Sequence, residues 1–143
     1  TLGNNPEWLK AHMDRTINMF ERNKNYPSLT FWSLGNEAGN GYNFYQTYLW
    51  LKDADKNIME RPVNYERAQW EWNSDMYVPQ YPGAQWLEAM GKRGSDRPIA
   101  PSEYSHAMGT RTVTSGINGK QSINIRTCRV DTSGTGWTRA LTQ

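Results

Sequence analysis

Residues 27–41, which read PSLTFWSLGNEAGNG, decide the fold. Pro27 ends any preceding helix because proline has no amide donor, and residues 29–34 are mostly β-branched or apolar at both odd and even positions. A short run of this kind is typical of a strand buried on both faces, as in a parallel sheet. Glycines then mark a loop, and Glu37 stands in it directly after the strand.

Three helical patterns surround this strand. Apolar residues that recur every three or four positions predict helices over residues 6–24, 43–55 and 85–92. The first is expected to start at Asn5 and Pro6, because a capping side chain followed by proline is typical of a helix start. On the second helix, one stripe is expected to face the core: Tyr45, Tyr48, Leu49 and Lys52.

Three further short strands are predicted, over residues 61–65, 75–78 and 98–102. Strands that alternate with helices indicate an α/β fold with a parallel sheet. No internal repeat is visible at periods of about 20 to 50 residues, so a solenoid or a propeller is not expected.

The composition is that of one globular domain at most. The chain has 143 residues, 36% of them hydrophobic and 21% charged, and no apolar run long enough to cross a bilayer. A net charge of +2 does not predict nucleic-acid binding. Cys128 is the single cysteine, which excludes an internal disulfide and a cysteine-built zinc site. No charged and then apolar leader opens the sequence, so a secretion signal is not expected.

Two glutamates follow predicted strands. Glu37 comes after LTFWSLGN, and Glu103 comes after RPIAPS. Because the carboxyl ends of parallel barrel strands converge on one face, both side chains could reach a single pocket. A pair of carboxylates is what glycoside hydrolysis requires, one as proton donor and one as nucleophile. The alternative is that each is a solvated loop residue.

Two neighbours strengthen the pairing, and each has a simpler explanation. Asn36 directly precedes Glu37 and could donate its amide to a sugar hydroxyl, or it could only serve the turn. His106 lies three residues beyond Glu103 and could line the pocket, or it could be a hydrogen-bonded residue behind it.

The strings PSLTFWSLGNEAGNG and RPIAPSEYSHAMG resemble the two signature segments of β-galactosidases of glycoside hydrolase family 2, and the resemblance runs from about Thr1 to Gly109. EYSHAMG is similar to the galactosidase branch rather than the glucuronidase or mannosidase branches. The resemblance implies an α/β fold that is a partial TIM (β/α)8 barrel. Because such a barrel needs about 250 residues, the chain is expected to hold about strands four to seven and to be inactive alone.

The resemblance also implies a role for each matching residue. Glu37 would be the general acid/base at the end of the fourth strand, and Glu103 the nucleophile at the end of the seventh. Asn36 would bind the sugar 2-hydroxyl, Tyr77 would donate a hydrogen bond to the nucleophile, and His106 would line the galactose site. The family retains anomeric configuration, so a double displacement is expected.

Cofactors and partners follow from the same resemblance. Family members bind Mg²⁺ beside the acid/base, with Na⁺ as a further ion, and Glu37 would be one magnesium ligand. The other ligands are expected on an earlier strand outside this sequence. The substrate would be a β-galactoside such as lactose, and the full-length parent would be a homo-oligomer in the cytoplasm or periplasm that binds neither nucleic acid nor membrane. The alternatives are a β-glucuronidase or a non-catalytic sugar-binding or interaction fragment.

The composition changes near Thr110. Residues 111–143 are rich in threonine and glycine and show neither a helical nor a strand period. We therefore expect residues 1–110 to form the partial barrel domain and residues 111–143 to form a poorly ordered tail. We expect that one base was lost near Thr112 or Val113, which would shift the reading frame and account for the departure from the family; a divergent natural tail is the alternative.

Overall fold

The computed structural model describes residues 1–103. These residues contain three α-helices, α1 (Leu9–Asn23), α2 (Tyr42–Asp55) and α3 (Ala84–Arg93), and two strands, β1 (Trp32–Ser33) and β2 (Val63–Asn64). Short 3-10 helices cover Leu2–Asn4, Pro6–Trp8 and Glu66–Ala68. The chain divides into two compact units, one over Thr1–Val78 and one that begins at Pro79. No helix within residues 1–103 is long and apolar enough to span a bilayer.

All three predicted helices are confirmed. The first begins with a 3-10 turn at Pro6, where the Asn5 side chain accepts from the Glu7 amide, and continues as α1. This is the capping expected of an asparagine that precedes a proline.

The two strands of the first unit pair in parallel, as predicted. Trp32 lies opposite Val63 and Ser33 opposite Asn64. The Trp32 amide donates to the Pro62 carbonyl at 2.9 Å, and the Leu34 amide donates to the Asn64 carbonyl at 3.1 Å. Parallel strands need a long crossover connection, and α2 supplies it here.

The strand predicted over residues 29–34 is shorter than expected and is buried on one face only. Trp32 is buried, whereas Phe31 is 46% exposed and Ser33 is exposed. The expectation of burial on both faces is therefore wrong for the described residues, because α1 and α2 contribute to the cluster around Trp32 and leave Phe31 open to solvent.

The core of the first unit lies between the sheet and its helices. Phe20 of α1, Trp32 of β1, Leu51 of α2 and Val63 of β2 form one buried cluster, and the rings of Phe20 and Trp32 lie 5.3 Å apart. Each such side chain stabilises the fold by roughly 1.5–3 kcal/mol through its removal from water.

The buried face of α2 differs from the predicted stripe. The helix buries Asn43, Phe44, Thr47, Leu51 and Asp55. Leu49 is exposed, so its predicted place in the core is wrong. Apolar periodicity misses this face because several of its residues are polar and are satisfied by buried hydrogen bonds.

Asp55 is the clearest example of a buried polar side chain on α2 whose hydrogen-bonding capacity is met. One carboxylate oxygen accepts from Trp32 Nε1 at 3.1 Å and from the Arg61 amide at 2.9 Å, and the other accepts from Arg61 Nη1 at 2.9 Å. Both charged side chains are 2% exposed. Arg61 also donates to the carbonyls of Leu29 and Lys24, so one ion pair ties the end of α2 to β1 and to the loop before it.

The prediction of a strand over residues 75–78 is wrong. Side chains accept the hydrogens of the backbone amides in and next to β2 that a neighbouring strand would use. The Val63 amide donates to the Asp75 carboxylate at 2.7 Å, and the Tyr65 amide donates to the Ser74 hydroxyl at 3.1 Å. The same carboxylate accepts from Tyr48 and Lys52, which closes this edge of β2. Within the described residues, 75–78 therefore form no strand, although Tyr77 makes a single β-bridge.

In the second unit, α3 agrees with the predicted helix, but the strand predicted over residues 98–102 is wrong. Its place is taken by isolated contacts: a parallel bridge joins Gln80 to Glu103, and the Ser102 amide donates to the Pro79 carbonyl at 3.1 Å. Pro98 and Pro101 have no amide donors, so a longer ladder cannot form there.

Candidate active site

The loop between β1 and α2, residues 35–41, carries the first candidate acid. Glu37 stands just past the end of β1, as predicted, four residues after Ser33, and its φ of 52° places it in the left-handed region. That conformation is unfavourable for a residue with a Cβ by about 1–2 kcal/mol, so contacts from outside the loop must hold it. Its side chain is 48% exposed and is therefore accessible to a ligand.

The segment that follows β2 supplies the contact to Glu37. Glu66, in the 3-10 helix Glu66–Ala68, accepts the Glu37 amide hydrogen at an N to Oε1 distance of 2.5 Å. The Glu66 side chain is 4% exposed. The Arg67 guanidinium lies 3.4 Å from Glu66 Oε1 and 3.6 Å from Glu37 Oε1, so it links the two carboxylates.

Two further residues after β2 hold the rest of this loop. The Tyr65 hydroxyl donates to the Gly39 carbonyl, and the buried Tyr65 ring stacks on Phe44 at 4.3 Å. Burial, followed by the nearby Glu66 carboxylate, raises the pKa of Tyr65 above its ordinary value. Asn40 and Asn73 exchange two amide hydrogen bonds, of 3.1 and 2.9 Å.

Sequence reasoning missed these supporting residues, although a signal was present. Tyr65 and Glu66 follow β2 within two residues, and Asn36 and Glu37 follow β1 within four. Because the carboxyl ends of neighbouring parallel strands lie at one edge of a sheet, residues at both ends were candidates for one cluster. Asn36 is exposed in the same loop, and its proposed contact with a sugar hydroxyl stays a prediction.

Glu103, in the second unit, is held through its side chain. Gln80 Nε2 donates to Oε1 at 2.9 Å, and the Tyr81 hydroxyl donates to Oε2. The Tyr81 amide also donates to the Glu103 carbonyl at 2.5 Å. A carboxylate with a donor on each oxygen has a fixed orientation, which suits a group that must attack along one line.

The remaining predicted residues stay predictions. The Tyr77 ring lies parallel to Trp70 at 3.9 Å within the first unit, and its hydrogen bond to Glu103 is untested. His106 lies outside the described residues. The pairing of Glu37 with Glu103 across one sugar joins residues of two units and is also untested. Residues 104–143, including the proposed tail, lie outside the described residues.

The described residues do not form a magnesium site by themselves. No group of three or more histidine, cysteine or acidic side chains that could hold a metal occurs within residues 1–103. Glu37 offers a half-exposed carboxylate, but Oε1 faces the Arg67 guanidinium at 3.6 Å. A cation at that oxygen would have to compete with Arg67 for the carboxylate.

Comparison with known proteins identifies the family. The family model described as "Glycosyl hydrolases family 2, TIM barrel domain" matches residues 1–119. The β-galactosidase of Vibrio cholerae serotype O1 is 37% identical over 124 residues, which cover 76% of this chain and 12% of that protein. β-Galactosidase 2 of Enterobacter cloacae is 36% identical, with the same coverage, and the Vibrio vulnificus β-galactosidase is 35% identical over 76% of this chain and 11% of that protein.

The matched region includes both strands and the loop that carries Glu37, as well as Glu103. The chain spans about an eighth of the length of the curated relatives that it matches, which is 12% for the first of them. The match to more than two thirds of the chain and the parallel β1–α2–β2 arrangement agree. The chain belongs to glycosyl hydrolase family 2 and carries part of the α/β TIM barrel domain of that family.

Proposed function

We propose that this chain is part of a retaining β-galactosidase that releases terminal β-D-galactose from β-galactosides such as lactose. The observation that carries the proposal is the way Glu37 is held, with its main chain fixed by Glu66 and its carboxylate half-exposed. The names of the relatives, at 35–37% identity, support galactose as the sugar. They do not favour the β-glucuronidase alternative.

The first chemical step in this proposal forms a galactosyl ester. A Glu103 oxygen attacks the anomeric carbon while the bond from that carbon to the glycosidic oxygen breaks. Glu37 gives its proton to the departing oxygen, so the aglycone leaves as a neutral alcohol and Glu37 becomes a carboxylate. In retaining enzymes the two carboxyl groups lie about 5–5.5 Å apart, and we propose that separation for Glu37 and Glu103.

The second step returns the enzyme to its starting state. The Glu37 carboxylate takes a proton from water, and the water oxygen attacks the anomeric carbon. The ester bond to Glu103 breaks, and galactose leaves with its original configuration. Before the attack in the first step, Gln80 and Tyr81 hold the Glu103 carboxylate in one orientation.

The other assignments made from the resemblance belong to the same proposal. Asn36 would bind the 2-hydroxyl, where a hydrogen bond strengthens as positive charge develops on the ring. Tyr77 and His106 would lie beside the nucleophile and the galactose. Glu37 would give one ligand to Mg²⁺, with the remaining ligands from outside the described residues, and Na⁺ would be a further ion of the complete protein. A bound cation would add positive charge beside the acid/base, and no step above depends on it.

The finer architecture is proposed as well. β1 would be the fourth strand of the barrel, and Glu103 would end the seventh. Residues 1–110 would form the barrel part and residues 111–143 a frame-shifted tail, and the complete protein would be a homo-oligomer. The 143-residue chain alone would not turn over substrate, because the two carboxylates must be held precisely by a closed scaffold.

Hydrolysis of nitrophenyl β-galactoside by the complete protein that contains this chain tests the function. Glu103→Gln removes the nucleophile, and Glu37→Gln removes the proton donor, so each is expected to lower kcat by about 10²–10⁴-fold or more. Glu88→Gln on α3 is the control, because this exposed carboxylate pairs with Lys92 on the same helix. Full turnover in either site variant would refute the role of that residue, and sugar binding without turnover in the parent would favour the non-catalytic alternative.

A further inference from the structure

We propose that Glu66 is a positioning residue for Glu37: its buried carboxylate fixes the main chain of the acid/base and so places the proton donor. This inference rests on the proposed function. Neither the sequence patterns nor the names of the relatives assign any role to this residue.

The first support is the burial of Glu66 together with the identity of its partners. A carboxylate that is 4% exposed is costly unless donors satisfy it. Here the donor is the Glu37 amide, 29 positions earlier in the chain, and the Arg67 guanidinium forms an ion pair with the same carboxylate oxygen at 3.4 Å. Hydrogen bonds to ionised groups are about twice as strong as neutral ones, so this contact is a main restraint on the loop.

The second support is the backbone conformation that the contact restrains. At φ 52° Glu37 occupies the left-handed region, and its amide points at Glu66. A return to the common right-handed region would turn the amide away from Glu66 and carry the Glu37 Cβ to a new position. The amide contact and the location of the acid/base carboxyl are therefore coupled through one dihedral angle.

The consequence for catalysis depends on the leaving group. A misplacement of about 1 Å costs on the order of 10²-fold in rate, but only in steps that need proton transfer from Glu37. The leaving group of lactose is a strongly basic sugar alkoxide, so its departure needs the proton from Glu37. The leaving group of dinitrophenyl β-galactoside is a weakly basic phenolate, so its departure does not need that proton. Damage to Glu37 alone should therefore slow lactose hydrolysis and spare the activated substrate.

The experiment compares kcat/KM for both substrates in the complete protein. Glu66→Ala is expected to lower kcat/KM for lactose ~10- to 100-fold more than for dinitrophenyl β-galactoside. Glu66→Gln keeps an oxygen that can accept the Glu37 amide and is expected to restore most of the loss. Glu71→Ala is the matched control, because this exposed carboxylate lies further along the same segment and accepts from Tyr45 of α2. It should leave the ratio between the two substrates unchanged.

Equal losses on both substrates, or an unchanged ratio in folded Glu66→Ala, would overturn the positioning role. Where Glu66→Ala does not give folded protein, Glu66→Asp takes its place, since it keeps the charge and withdraws the acceptor by one methylene. Glu37→Gln separates the two proposals. If the loss of kcat/KM in Glu37→Gln does not depend on the leaving group, the proposed function fails. If that loss depends on the leaving group but the loss in the Glu66 variants does not, only the positioning role of Glu66 fails.

Discussion

The two candidate catalytic carboxylates are held in opposite ways. Glu37 is fixed through its main-chain amide, and its carboxylate is half-exposed beside Arg67. Glu103 is fixed through its side chain, with Gln80 on one oxygen and Tyr81 on the other. A group that must give and then recover a proton needs an accessible side chain on a fixed backbone. A group that must attack one carbon needs a fixed side chain. The two kinds of restraint match the two proposed roles.

The largest expected effect comes from removing the buried ion pair that ties the end of α2 to β1. Asp55→Ala leaves Arg61 buried without its carboxylate, so we expect a loss of about 3–5 kcal/mol in the free energy of unfolding. Urea denaturation of the 143-residue chain measures it. Replacing both partners, as Asp55→Leu with Arg61→Met, is the control and should restore much of the loss. A change below about 1 kcal/mol in Asp55→Ala would mean that the pair does not support this region.

The next effect breaks the restraint on Glu103. Tyr81→Phe removes a hydrogen bond to a charged group, worth about 1.5–3 kcal/mol, so kcat in the complete protein should fall roughly 10- to 100-fold. Because the nucleophile acts on every substrate, lactose and dinitrophenyl β-galactoside should be affected equally. Tyr26→Phe, at an exposed position of the first unit, is the control. A fall in kcat for lactose alone would contradict the proposal that Tyr81 supports the nucleophile Glu103 rather than the proton donor Glu37.

A smaller effect tests the Glu37 loop without touching its carboxylates. Gly39 has a φ of 74°, and a Cβ there would lie 2.8 Å from the Thr1 hydroxyl oxygen. Gly39→Ala should therefore reduce stability by about 1–2 kcal/mol. Gly83→Ala is the matched control, because nothing lies within 4 Å of its added Cβ. Thermal unfolding distinguishes the two variants, and equal melting temperatures would show that the loop is not strained in this way.

The smallest effect appears only at high pH. The pKa of Tyr65 is raised above its ordinary value of 10.0, first by burial and then by the Glu66 carboxylate. The folded state therefore keeps the proton when the unfolded state has lost it. The stabilisation is complete below pH 10 and is lost as the pH rises from there toward the folded pKa. Tyr65→Phe should remove this part of the alkaline loss, as measured by urea denaturation between pH 8 and about pH 11. Identical alkaline slopes in both proteins would contradict it.

Sequence patterns predicted the helices and the first parallel pair because apolar spacing reports which residues face a core. They failed at residues 75–78, where Ser74 and Asp75 bind the amides of β2 with their side chains. They failed on α2 for the same reason, since the buried Asn43 and Asp55 look like surface residues in a sequence. Hydrogen-bond satisfaction depends on partners far along the chain, which periodicity does not contain.

The same limit applies to the site. Glu37 and Glu103 could be located because each follows a strand-like segment and matches a family signature. Glu66, Gln80 and Tyr81 could not, since their importance lies in whom they contact rather than in their own pattern. Glu66 was the easiest of these to anticipate, because it stands two residues after β2, at the same end of the parallel pair as Glu37.

The stack of Tyr65 on Phe44 has a consequence at the start of the chain. A Cβ at Gly3 would lie 2.6 Å from the Phe44 ring, so any side chain there must displace that ring. Phe44 would push against Tyr65, whose hydroxyl holds the Gly39 carbonyl. A substitution at position 3 would therefore disturb Gly39, in the loop that carries Glu37, although the two positions are far apart in the sequence.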